Sequence, residues 1–335
     1  MATVDFMEIA ESNFAPSHPE LHYYCDFGGL QGIFTNQTIW ATNYRQLNDT
    51  KEAEMLKAPL VTALTSRFRS VVEDQQHASP EVRRAIEDLG GNLDKIISEL
   101  ARDLVNSYYQ TANDLDFYVA CFCTHATKDY AREHGLLSQW RGYGGADGGF
   151  CIVFDTAAMI PMLQKEYEAH YWTLPPKLAL VHYATRHFSI EDIFKPLLDE
   201  SGSLLTALLS GADPPLKAMG FFLLAAPLLK HQGFIEESEA RIVVIPGTKR
   251  DYDNVVAEHG NVIDLPLKKI CDRTDARGFR QHVVLFEGLE LKLPIKRVLV
   301  GPSRNQDAKF ANARSLLGPD ISLVRSETPF LPPPA

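Results

Sequence analysis

The sequence predicts an α+β fold, with a central mixed or antiparallel sheet and long helical insertions. Three observations predict it. Short runs rich in β-branched and aromatic residues, the signature of strands, stand near both ends of the chain. A long stretch with helical spacing, from about residue 50 to 114, separates the second of these runs from the third. A second stretch, about 189–230, is mostly helical as well.

In chain order, Leu21–Cys25 reads as the first strand, Gly28–Phe34 as one or two helical turns, and Thr38–Thr42 as the second strand. Inside the first helical stretch, Ser79-Pro80-Glu81 is a cap with proline at the first helical position. Gly90-Gly91-Asn92 ends one helix before another begins. Strand signals return at Phe117–Thr124, Phe150–Phe154 and Leu178–Tyr183. After the second helical stretch come candidate strands at Ala240–Ile245, Val262–Leu265, Val283–Leu285 and Ile295–Val300. A helix at Asp307–Leu317 and a strand at Ile321–Val324 follow. The expectation is one α+β domain over residues 1–330 and a disordered tail at 331–335.

Composition narrows the function classes. The apolar fraction is 45% and the net charge −10, so a uniformly basic nucleic-acid surface is excluded while a local basic groove is not. The five cysteines show no CxxC spacing and read as reduced thiols. Residues 1–20 lack a basic region followed by an apolar one, and Ala218–Leu229 is too short to span a bilayer. A cytoplasmic protein without a membrane segment is expected.

Polar residues collect in three places. Tyr44–Glu52 contains Asn48 and Asp49, a turn and cap with Glu52 three residues on; capping alone accounts for it. Gln139, Trp140, Arg141 and Tyr143 precede five glycines that match neither a dinucleotide fingerprint nor a P-loop. Arg141 offers a planar fork for phosphate or carboxylate and the aromatics a stacking face. A hairpin-type connection with Trp140 in the core is the alternative. In the third place, strand alternation puts Glu237, Glu239 and Arg241 on one face. They form either a solvated charged face or a carboxylate pair lining a cleft. His125, His134 and His231 have no metal-like spacing and read as turn or surface residues, and no GxSxG occurs.

The order of these clusters resembles the bacterial domain-of-unknown-function family 2971. The resemblance is carried by Leu21–Tyr24, Leu47–Glu52, Ser138–Tyr143, Lys230–Arg241, Gly301-Pro302 and Ser326–Phe330, and so runs over nearly the whole chain. It implies one continuous domain and no known activity. A weaker resemblance, to the ADP-ribosyltransferase superfamily, rests on an aromatic first strand and a later Glu-x-Glu. It implies NAD as substrate, with Glu239 or Glu237 as the carboxylate that steadies an oxocarbenium-like centre. It further implies Tyr23 or Tyr24 as the stacking ring and Arg141 at the pyrophosphate. Asn48, Asp49, Trp140, Tyr143 and Arg241 complete the expected ligand contacts, and no metal is expected. This chain has Tyr23 where relatives carry His, and His22 one place earlier faces the other way.

The sequence therefore leads to a nucleotide-using enzyme, most concretely an ADP-ribosyltransferase or NAD-cleaving toxin or defence effector. Its ligand is a nucleotide or dinucleotide, and its acceptor macromolecule is left open. Two alternatives stand beside it. One is a metal-dependent nuclease or phosphodiesterase built on Asp49, Glu52, Glu237 and Glu239. The other is a non-catalytic module whose Trp140–Arg141 pocket holds a small anion.

Overall fold

The computed structural model describes residues 9–47, 56–74, 80, 84, 93–125, 127–145, 148–184, 189–259, 265–275 and 278–329. Asn48, Asp49, Glu52, both punctuation signals of the first helical stretch, most of 262–265 and the tail 331–335 lie outside these residues.

A ten-stranded sheet organises the first of two compact units, residues 1–46, 117–181 and 233–335. Its strands are β1 (Glu20–Cys25), β2 (Ile39–Asn43), β3 (Tyr118–Cys123), β4 (Phe150–Asp155) and β5 (Trp172–Leu180), then β8 (Glu239–Pro246), β9 (Ile270–Asp275), β10 (Gly278–Leu285), β11 (Ile295–Val300) and β12 (Ser322–Arg325). The order is β12-β11-β4-β1-β3-β2-β10-β9, with β8 also on β3 and β5 on β8. Among the described residues, only β11 and β12 run parallel within this sheet, so it is mixed, in line with the expected fold class.

Alternation gives the sheet two unlike faces. Leu21, Ala120, Phe122, Ile152, Phe154 and Ile242 share one of them with the aliphatic residues of the neighbouring strands. The helix Thr156–Ala169 covers that face with Met159, Met162 and Leu163. Burying one aliphatic side chain contributes about 1.5–3 kcal/mol, so this layer is the main stabilising term. The opposite face carries the polar residues taken up below.

Several elements depart from the sequence reading. The helix Thr156–Ala169 contains Pro161, and proline hides a helical pattern. Asp155 starts it by accepting the Ala158 N–H at 3.0 Å. Lys249–His259 is a helix where only strands and turns were expected. β5 begins earlier than Leu178, and its Pro175 and Pro176 are tolerated because, among the described strands, β5 is an edge strand paired with β8. β9, Ile-Cys-Asp-Arg-Thr-Asp, is a polar edge strand with little apolar alternation to read.

The second unit comprises residues 47–116 and 182–232, the two helical stretches of the sequence. Its helices Lys57–Glu73 and Leu93–Asp114 pack with Ser201–Ser210 and Leu216–Ala225 around Tyr108, Phe194 and Phe222. It also holds a parallel pair, β6 (His182–Ala184) with β7 (Leu229–His231). Among the described residues, no helix is long and apolar enough to cross a membrane.

Candidate functional site

The glycine-rich stretch proves to be a packing device. Leu137–Tyr143 forms a short helix rather than the hairpin connection of the alternative reading, but buries Trp140 completely as that reading had it. Trp140 lies edge-on to Tyr24 at 4.8 Å, and its indole N–H donates to the His134 carbonyl at 3.0 Å. No face of this ring is left for a ligand. Gly148 has φ +81°, and a Cβ there would stand 2.0 Å from the Pro302 carbonyl oxygen. A Cβ on Gly301 would stand 1.9 Å from the Gly148 oxygen. The backbones of the loop and of Gly301-Pro302 approach each other, and Gly301 N–H donates to the Gly149 carbonyl at 3.0 Å. Arg141 and Tyr143 are exposed on the helix, away from Trp140's buried flank.

The two tyrosines of β1 separate by alternation. Tyr23 points into the apolar layer, 5.7 Å from the Phe122 ring. Tyr24 is on the polar face, but it is packed beneath Trp140. Its hydroxyl accepts the Leu136 N–H at 2.8 Å and lies 2.8 Å from His125 Nε2. Tyr24 has no free ring face for the stacking role the sequence assigned to it, and Tyr23, half-buried, lies on the opposite face of the sheet from Glu239.

Glu237 also moves. It ends the 3-10 turn Gln232–Glu237, Ser238 takes φ +46°, and β8 starts only at Glu239. The left-handed residue breaks the alternation that would have set Glu237 beside Glu239, so the strand face carries one carboxylate. Glu239 is gripped by Arg241 at both oxygens, Nε to Oε1 at 2.8 Å and an Nη2 contact to Oε2 at 3.2 Å. Both residues are buried. Burial works against the Arg241 charge, but Glu239 more than restores it and raises the guanidinium pKa. The guanidinium lies over the Tyr44 ring, 5.8 Å from its centre.

The pair sits beside a split in the sheet. β8 occupies one edge of β3 from Tyr118 to Cys123. The other edge is shared: β1 pairs at Cys123 through His22, and β2 pairs at Val119 and Tyr118. Cys121, opposite Arg241, lies between the two pairings. On the same face, across β2 and the β9–β10 hairpin, stand Trp40, His282, Arg273 and Arg280. Trp40 is 42% exposed, its ring 4.2 Å from that of His282, with the Arg273 guanidinium 5.2 Å away.

Further along this face lies a buried polar chain that the sequence did not reveal. Glu20 is held by Arg297 at 2.6 and 2.7 Å and by Lys296 at 3.0 Å. Burial raises its pKa, but these cations outweigh burial and hold it at about 2. His22 and His125 are fully buried, rings 4.8 Å apart; burial lowers them to about 4 and about 3. Both are neutral in neutral solution. The available signal was the period-2 set Glu20, His22, Tyr24 on one strand. His125 gave none, because its place depends on the positive φ of 48° that turns the chain after β3.

Among the described residues, no group of three or more His, Cys, Asp and Glu is arranged to hold a metal ion. Asp49 and Glu52, two of the four carboxylates of the metal-dependent alternative, lie outside those residues. A surface depression of about 500 Å³ opens beside Ile160, Pro161 and Gln164, on the helix that covers the apolar face. It is on the far side of the sheet from Glu239 and Arg241.

Fold and face together define an α+β protein whose sheet presents one apolar and one charged surface. Over residues 139–242 the chain matches the model of a family described as protein of unknown function, DUF2971. The match takes in Gln139–Tyr143 and Lys230–Arg241. The wider resemblance to that family, through Leu21–Tyr24, Leu47–Glu52, Gly301-Pro302 and Ser326–Phe330, falls outside it. No curated protein and no solved structure matches the chain, so the ADP-ribosyltransferase likeness gains no support from relatives.

Proposed function

We propose that the chain binds a nucleotide on the polar face of the sheet and uses it as a substrate, NAD being the most concrete choice. The observation that carries this is the Glu239–Arg241–Tyr44 group beside the split in the sheet. A carboxylate, a guanidinium and an aromatic ring are the groups that cleavage of a nicotinamide–ribose bond requires. In this reading the substrate pyrophosphate takes over the Arg241 fork and frees Glu239 to face the ribose. The C–N bond breaks, its electron pair leaves with nicotinamide, and Glu239 steadies the positive charge on the ribose. Water or an acceptor nucleophile then bonds to that carbon and gives up its proton. The biological role would be that of an NAD-cleaving effector or ADP-ribosyltransferase.

One observation favours a second reading. Arg241 contacts both Glu239 oxygens, so the carboxylate at rest is already neutralised by an internal counter-charge, which suits a nucleotide-binding module without catalysis. The two readings separate on incubation of purified protein with NAD⁺, following nicotinamide release and thermal shift. Cleavage predicts release by the parent and loss of at least about a hundredfold in rate for Glu239→Gln, with ligand stabilisation retained. Stabilisation of both proteins without release supports the binding module. If NAD⁺ neither shifts the melting temperature nor releases nicotinamide, both fail for this ligand.

A further inference from the structure

The β9–β10 hairpin gathers positive charge on the polar face of the sheet. Arg273 and Arg280 are directly opposed cross-strand partners. Like charges in that relation repel, at Cβ separations of roughly 4.5–5.5 Å. Arg280 is only 8% exposed, and among the described residues no carboxylate pairs with it. Asp272, the nearest acidic residue of β9 with a described side chain, belongs to the other face, where it accepts from Gln281 Nε2 at 3.2 Å. His282 is 5% exposed, and its Nδ1 has no partner among the described residues. Burial and the Arg273 charge lower its pKa, so it adds no further positive charge. Beside these groups Trp40 keeps 42% of its surface in solvent. In a protein of net charge −10 this is a local concentration of cation and aromatic surface.

We infer that this patch is the binding place for one phosphorylated nucleoside: the phosphate lies between Arg273 and Arg280, and the base stacks on Trp40. The anion takes two planar donor forks, and the exposed indole supplies the stacking surface. His282 braces the indole from its own side. Two guanidiniums and one ring suit a single base with one or two phosphates. The overall negative charge disfavours a long polyanion. The inference deepens the proposed function, on which its choice of ligand rests. Trp40 is two residues from Thr42, the partner of Val119, and so is level with Cys121, the partner of Arg241. Two strand spacings separate Trp40 from Arg241, about 10 Å.

Tryptophan fluorescence tests this, because Trp140 and Trp172 are buried at 0% and 5% exposure and Trp40 alone is open to quenching. AMP and ADP-ribose are expected to quench saturably, and inorganic phosphate to compete without quenching. Trp40→Phe should abolish the signal while binding persists in calorimetry. Arg273→Gln, at the more exposed of the two arginines, should weaken AMP about tenfold, and Arg280→Gln at least as much. Absence of quenching by millimolar AMP and ADP-ribose overturns the assignment. So does phosphate binding as tightly as AMP, or a single-stranded oligonucleotide binding more tightly than AMP. Nicotinamide release without Trp40 quenching leaves the cleavage reading standing and removes this one; quenching without release does the opposite.

Discussion

Replacing Arg241 with alanine is expected to destabilise the protein by about 3–5 kcal/mol, because it strands the buried Glu239 carboxylate without its counter-charge. Chemical denaturation of the variant measures this directly. The paired change Glu239→Leu with Arg241→Met removes both charges together and is expected to recover most of the loss, since a buried ion pair contributes little net stability against well-packed apolar side chains. A catalytic function then appears as the contrast: the double variant folds and no longer releases nicotinamide from NAD⁺. An Arg241→Ala protein as stable as the parent would mean that the pair is solvated in solution, and that Glu239 is open to substrate without displacement of an arginine.

The second large effect is acid sensitivity. His22 and His125 are held neutral by burial, at about 4 and about 3, whereas in the unfolded chain histidine takes up its proton near pH 6.5. As pH falls below 6.5 the unfolded state binds protons that the folded state refuses, and stability drops. The loss is about 2 kcal/mol per histidine at pH 5, and it levels off once pH passes below the folded values. Glu20 adds a lower limb. Its folded pKa of about 2 lies under the ordinary carboxylate value, so its contribution is complete above about pH 4.5 and disappears as pH falls toward 2. Denaturation midpoints between pH 7 and 3 should therefore show two slopes. His125→Gln, which cannot titrate, is expected to flatten the upper slope and leave the lower one. An unchanged upper slope would assign the acid sensitivity to other groups.

Much of the scaffold was legible because it rests on local rules. β1, β3, β4, β8 and β11 are β-branched and aromatic runs with few charges, and the structure forms all five. Missed elements each break a local rule for a tertiary reason. Pro161 sits inside a helix, Pro175 and Pro176 sit in an edge strand, and β9 is nearly as polar as a loop. The site was less legible. Alternation correctly put Glu239 and Arg241 together, but a single left-handed residue, Ser238, removed Glu237 from their face. Trp140 and Arg141 stood out for chemistry by composition, yet neighbouring helix positions sent one inward and the other to solvent. Trp40, Arg273, Arg280 and His282 come from three strands that pair only in the folded sheet. No spacing in the sequence could announce them.

The central claim is that nucleotide binds to the charged face of the sheet and not to the glycine loop. The measurement that tests it most directly is a crystal structure of the protein with ADP-ribose. The base is expected against Trp40 and the phosphate on the arginines of the face. Ligand bound instead at Arg141 and the glycines Gly144, Gly145, Gly148 and Gly149, with the sheet face empty, would contradict it.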